Sequence, residues 1–307
     1  YREAMVKYGS DKPDLRNPLF IIDLTDFFQK CTFKPFYNKA VRAIKVTGHM
    51  SKGFHEKMLE FAKSIGMGGL GYLEVQEDLS YKGPIDKFIP DDLKKQLLEL
   101  ADLKVNDTIF FIADDEPIAN ILAGQIRTEL GKRLNLIDEN VFSFCCIVDF
   151  PMYELSDEGE IDFCHNPFSM PQGGMDALEN MNPLDILAYQ YDIVCNGIEL
   201  SSGAVRNHDP EIMIKAFELV GYSKEHIEEK FRALFNAFQY GAPPHAGIAP
   251  GVDRMLMLLT NSETVRDVIA FPMNSKSQDL LMGAPNTVTK EQLQDVHIKL
   301  DLPETQK

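Results

Sequence analysis

An Asn-Gly pair at Asn196 and Gly197, set between two alternating apolar runs, constrains this chain more than any other feature. Both residues accept the positive φ that a two-residue hairpin turn demands, so the runs on either side are expected to pair as antiparallel strands. In that register Cys195 faces Ile198, Val194 faces Glu199 and Asp192 faces Ser201. Side chains alternate along a strand, so Asp192 shares the face of Val194 and hence of Glu199. Two carboxylates meeting diagonally on one sheet surface suit a hard divalent cation that also carries phosphate. The same spacing serves an ordinary solvated sheet face. The second strand runs on through Ser202 to Arg206, and simple alternation puts Arg206 on the face away from Glu199. The two act together only if a bulge intervenes, and Gly203 invites a bulge or a close backbone approach. A guanidinium can capture a carboxylate or phosphate bidentately, although a surface ion pair is its commoner use.

A second concentration of signals lies at Gly241–Arg254. Pro243, Pro244 and His245 exclude helix, while Gly247 and Gly251 let a ligand lie against backbone. A helix is expected to begin at about Gly251, with free N–H groups and a positive dipole end at its start and Arg254 one turn in. This arrangement suits a polyphosphate. It is neither a GK[ST] loop nor a GxGxxG turn. His165, in the Pro-bounded loop Phe163–Phe168, is more often the kind of histidine that holds a loop than one that binds a ligand.

Elsewhere the chain alternates. Arg2–Tyr8 reads as a short helix, followed by the polar loop 9–16, which is either solvated or part of a site. Residues 19–138 carry their own series: a helix at Ile21–Gln29, a strand at Ala40–Thr47, and a helix opened by Ser51 with Phe54, Met58, Phe61 and Ile65 at helical spacing. A strand at Leu70–Val75, a helix from Pro90–Asp91, a buried strand at Thr108–Ala113 and a long helix at Pro117–Leu134 complete it. About 120 residues of this kind can enclose a small α+β core. In 139–307 the apolar run Phe142–Phe150 reads as a central strand, and helices are expected at about 210–220, 225–239 and Val252–Leu259. The polar end, Pro303–Lys307, is expected to fray.

Composition narrows the classes. A net charge of −16 opposes indiscriminate binding to a phosphate backbone, though not a local RNA contact. No stretch approaches the roughly 18 apolar residues of a membrane span, so no membrane partner is expected. Five cysteines without CxxC pairs suggest reduced, mostly buried thiols in a cytoplasmic protein.

Gly247-Ile-Ala-Pro-Gly-Val-Asp-Arg254 resembles the third motif of class II aminoacyl-tRNA synthetases. Pro243-Pro-His-Ala246, Arg266–Pro272, Tyr8–Arg16 and Val148–Met152 resemble the aspartyl branch of bacterial type. The resemblance implies an α+β fold: part of a class II antiparallel-sheet catalytic domain (1–18 and 139–307), interrupted at 19–138 by a small α+β domain of the kind called GAD. It implies an aspartate–tRNA ligase that uses ATP and Mg²⁺, with aspartate and tRNA as further partners and a homodimeric parent. In such a protein Asp192 and Glu199 would hold the metal and the phosphates. Arg206, His165 and more weakly Ser202 would receive aspartate. Gly251, Val252, Asp253 and Arg254 would hold ATP, with Arg254, Arg206 and Glu199 as the catalytic set.

Departures accompany the matches. Where the family commonly has His-His-Pro, this chain has His165-Asn166-Pro167. The anticodon-reading barrel and the first two class motifs have no counterpart, so the chain is expected to be a piece of a longer enzyme and inactive alone. The competing readings are a non-catalytic paralogue acting through residues 19–138, an amidotransferase subunit, and an asparagine- or lysine-specific synthetase.

Overall fold

A computed structural model describes residues 1–301, so the ending Pro303–Lys307 lies outside the described residues. The chain divides into two compact units, Tyr1–Pro250 and Gly251–Lys307.

The first unit opens with helix α1 (Arg2–Tyr8), closed by Gly9 in the left-handed conformation. Next come β1 (Ile21–Asp23), α2 (Thr25–Phe28), β2 (Ala40–Thr47), α3 (Lys52–Ser64), β3 (Gly71–Val75), β4 (Tyr81–Lys82), α4 (Asp91–Leu100), β5 (Asp107–Asp114) and α5 (Glu116–Arg133). These strands form one antiparallel sheet in the order β1-β2-β5-β3-β4. One face packs Phe28, Val41, Leu73 and Phe111, and the other packs Ile44, Met58, Phe110 and Ile126. Ser51 caps α3 by accepting from the Phe54 N–H, as its sequence position led one to expect.

The segment Ile21–Gln29 differs from its expected single helix. Ile21 and Ile22 instead add an edge strand to β2, and the helix is confined to Thr25–Phe28. Asp23 breaks the pattern by accepting both the Thr25 N–H (2.9 Å) and the Thr25 hydroxyl (2.6 Å), a local turn that competes with helix.

A second antiparallel sheet follows, built from β6 (Phe144–Pro151), β9 (Leu187–Cys195), β10 (Ile198–Val205) and β11 (Ala246–Pro250) in the order β11-β10-β9-β6. The hairpin β7 (Tyr153–Leu155) and β8 (Ile161–Phe163) and the helices α6 (Gly174–Asn180), α7 (Pro210–Glu218), α8 (Lys224–Lys230) and α9 (Arg232–Gln239) surround it in sequence. The single helix expected at 225–239 is broken at Phe231, which ends α8 and begins α9. Among the described residues β6 is an edge strand, not the central one expected, and Phe144 is 61% exposed.

In the second unit, α10 (Val252–Leu259) starts at Gly251 and is followed later by α11 (Lys290–Asp295). The helix expected at Val252–Leu259 forms, with only Met257 buried. The cysteines are also less buried than expected: Cys31 and Cys195 are buried, Cys145 and Cys164 half-buried, and Cys146 exposed, all unpaired. Among the described residues no helix is long and apolar enough to cross a membrane.

Candidate functional site

The Asn196-Gly197 turn forms as expected, with Asn196 at φ 52° and Gly197 at φ 82°. Cys195 faces Ile198 and Val194 faces Glu199, but Asp192 faces Ser202 and not Ser201. The cause is a register shift between Glu199 and Ser201, which leaves Leu200 as the extra residue. One extra residue reverses the alternation beyond it, so Ser202, Ala204 and, one step past the strand, Arg206 follow Glu199 onto the face of Asp192. The bulge needed for joint action exists, but at Leu200. At Gly203 there is none, and a Cβ there would overlap the Gly247 carbonyl and the Tyr191 ring. Gly203 therefore admits a neighbouring strand and ring.

On this face the Asp192 carboxylate is buried, and Oδ1 has no hydrogen-bond partner. Burial pushes its pKa up; the Ser202 hydroxyl, Lys12 and His165 oppose that, and Glu199 adds to it. Folded Asp192 thus holds a proton more tightly than the unfolded chain does. The fold is favoured as pH falls, and loses that advantage as pH rises from the ordinary carboxylate range through the raised pKa. Asp192→Asn is expected to stabilise the metal-free protein by about 1 kcal/mol at pH 7, by removing an unsatisfied buried charge. The gain should shrink towards pH 4; urea unfolding of both proteins in chelator at the two pH values measures it.

Glu199 lies at the start of the face, its Oε2 3.5 Å from Lys12 Nζ. Lys12 also meets Asp11, and although its burial disfavours charge, the two carboxylates keep its pKa above the usual value. Arg206 lies over the Phe168 ring, 5.5 Å from its centre. Its backbone N–H donates to the His245 carbonyl at 2.9 Å. Among the described residues no acidic side chain pairs with Arg206. His165 stands edge-on to Phe150, with ring centres 4.9 Å apart. Asn166 turns the loop: its side-chain oxygen accepts the Phe168 N–H at 2.9 Å. That gives the residue standing in the family's second histidine position a local role.

Asp192, Glu199, Ser202, Arg206 and His165 are thus brought to one region of one sheet face. Ala249 and Gly247 of β11 face Ser202 and Ala204, and a Cβ at Gly247 would meet nothing within 4 Å. That stretch of backbone is open. In the second unit Gly251 caps α10, with Val252, Asp253 and Arg254 exposed in its first turn.

Lys12 is the residue that sequence reasoning missed. Its loop is not simply solvated: Pro13 is buried, and a Cβ on Gly197 would touch Asp14 Cβ at 3.4 Å. The only signal in the sequence was its place in the stretch Tyr8–Arg16.

Comparison with known proteins matches residues 1–275 to the family described as tRNA synthetases class II (D, K and N). The chain is 52% identical over 301 residues to "Aspartate--tRNA(Asp/Asn) ligase" of Ehrlichia chaffeensis, covering 95% of this chain and 51% of that protein. It is 51% identical over 307 residues to "Aspartate--tRNA ligase" of Streptomyces coelicolor, covering 99% and 52% respectively. The chain therefore spans about half the length of these relatives.

Proposed function

Because the chain belongs to the class II tRNA synthetases of the D, K and N group, we propose that it carries the aspartate-, metal- and ATP-binding part of an aspartate–tRNA ligase. The observation that carries this reading is the Leu200 bulge, which puts Asp192, Glu199, Ser202 and Arg206 on one face. The half-buried Arg206 guanidinium, with no acidic partner among the described residues, offers its fork to the side-chain carboxylate of aspartate. Ser202 and His165 border the same face and complete the amino-acid pocket.

Asp192 and Glu199 fit a divalent cation. The buried, unpartnered Oδ1 of Asp192 is an acceptor awaiting a donor or metal. Among the described residues no group of three or more His, Cys, Asp or Glu could hold a metal. The remaining ligands would be water and phosphate oxygens, the mode Mg²⁺ favours. When bound, Mg²⁺ neutralises charge on the triphosphate. The protein's residues orient the two reactants so that an aspartate carboxylate oxygen attacks the α-phosphorus and pyrophosphate leaves, catalysis by positioning and charge. A hydroxyl of the tRNA terminal ribose then takes the aspartyl group from the adenylate, and AMP leaves. Arg254, with Gly251, Val252 and Asp253, is assigned to ATP on its motif, and a cationic side chain in a first helical turn suits a phosphate.

The reading extends to organisation. Residues 19–138 form a GAD-like domain inserted into a catalytic domain made of 1–18 and 139–307, and the working protein is a cytoplasmic homodimer. Its unpaired cysteines accord with a reducing compartment.

ATP–pyrophosphate exchange by the full-length protein that contains this chain tests the proposal. Exchange should require aspartate and Mg²⁺, and Glu199→Gln should lower it about 10- to 100-fold. Exchange driven equally by asparagine or lysine, or none with any amino acid, would sink it.

A further inference from the structure

Arg127, in the middle of α5, is 2% exposed, and among the described residues none of its hydrogen bonds goes to an acidic side chain. Nε donates to the Leu19 carbonyl at 2.6 Å, and Nη2 to those of Asn17 (2.8 Å) and Asp14 (3.0 Å). The guanidinium also lies 5.0 Å from the centre of the Tyr8 ring. Asn17 answers by donating to the Arg127 carbonyl at 2.9 Å. One turn earlier α5 and the end of α1 meet backbone to backbone, since a Cβ on Gly9 or Gly124 would overlap the other residue. The buried Arg127 side chain therefore fixes the second half of the segment between α1 and β1 through its main chain, and the Gly9–Gly124 contact fixes its start.

The same segment reaches the site. Asp14 and the Lys12 carbonyl lie against the hairpin turn at Gly197, Arg16 grips Asp14 at 2.7 Å, and Lys12 extends to Glu199. An ammonium 3.5 Å from a carboxylate oxygen stabilises that carboxylate while no cation is bound. It also opposes the arrival of a cation, by repulsion and by occupying the oxygen.

We propose that Lys12 tunes the affinity of the Asp192–Glu199 pair for a divalent cation, and that Arg127 is a positioning residue holding the loop so that Lys12 can do so. The inserted residues 19–138 thereby act on the metal site of the sheet next to them. This rests on the metal reading of Asp192 and Glu199. The sign of the effect separates the proposal from a merely structural role. A loosened loop should bind the cation more tightly, whereas damage to the fold should weaken binding.

The test is Mn²⁺ titration of the 307-residue chain followed by electron paramagnetic resonance at low salt. Lys12→Met should tighten Mn²⁺ binding about 5- to 10-fold, an effect that added salt reduces. Arg127→Lys, which keeps the charge but loses the planar fork, should tighten it by a smaller factor, and should change nothing further in the Lys12→Met background. Hydrogen exchange should rise at residues 10–16 in Arg127→Lys while β9 and β10 stay protected, which guards against simple unfolding. Asp192→Asn and Glu199→Gln report on the metal reading itself: if they leave Mn²⁺ binding unchanged, or the parent chain binds none, that reading falls and the proposal with it. If they abolish binding but Lys12→Met does not tighten it, the metal reading stands and the proposal is overturned. An effect of Arg127→Lys that persists without Lys12 overturns the positioning role.

Discussion

Replacing Arg206 with Ala is expected to reduce aspartate-dependent pyrophosphate exchange by about 10³-fold in the full-length protein. The estimate follows from the cost of leaving a buried substrate carboxylate without its charged partner, about 3–5 kcal/mol, at about 1.4 kcal/mol per decade of rate. Arg206→Lys should recover little, because an ammonium cannot reproduce two parallel N–H donors or the stacking on Phe168. The loss should fall mainly on the KM for aspartate, with the KM for ATP little changed. A variant that lost both equally would assign Arg206 to phosphate instead.

The largest stability effect is expected at Gly9, where two requirements coincide. Its φ of 69° belongs to the left-handed region, and a Cβ would overlap the Asn120 carbonyl and the Gly124 backbone. Gly9→Ala therefore carries about 1 kcal/mol of backbone strain and about 1–3 kcal/mol of overpacking that backbone cannot relieve. Gly66 provides the control: its φ is 90°, yet a Cβ would meet nothing within 4 Å. Gly66→Ala should cost only the conformational part, about 1 kcal/mol. Denaturant midpoints of the two variants, compared with the parent chain, check the difference; equal losses would mean that α1 and α5 do not pack as described.

The parts of this fold that sequence discloses are those whose determinants are local. Asn196-Gly197 dictates a turn through the conformations of two adjacent residues, and Ser51 caps α3 through a contact three residues away. β2, buried along most of its length, begins and ends where its β-branched pattern does. What the sequence conceals depends on partners far along the chain. Ile21 and Ile22 look helical beside Phe27 and Phe28 until β2 offers them a ladder. Nothing around Leu200 marks it as the extra residue, because the shift arises in the pairing of β10 with β9. Arg127 reads as one more charge on a long helix; only the carbonyls of Asp14, Asn17 and Leu19 turn it inward. Lys12 is legible in its motif but not in its contact, since its partner Glu199 lies on β10, far along the sequence.

The Leu200 bulge also sets what length changes the site can survive. Glu199 and Arg206 lie seven residues apart, an odd step that changes faces on a regular strand. Deleting Leu200 would make that step even and the pairing with β9 regular, so Glu199, Ser202 and Arg206 would keep one face. A single deletion between Ser202 and Arg206, where there is no extra residue to absorb it, would instead rotate Arg206 to the far side of the sheet. The strand can thus lose one residue at Leu200 without disturbing the site, but not one beyond Ser202.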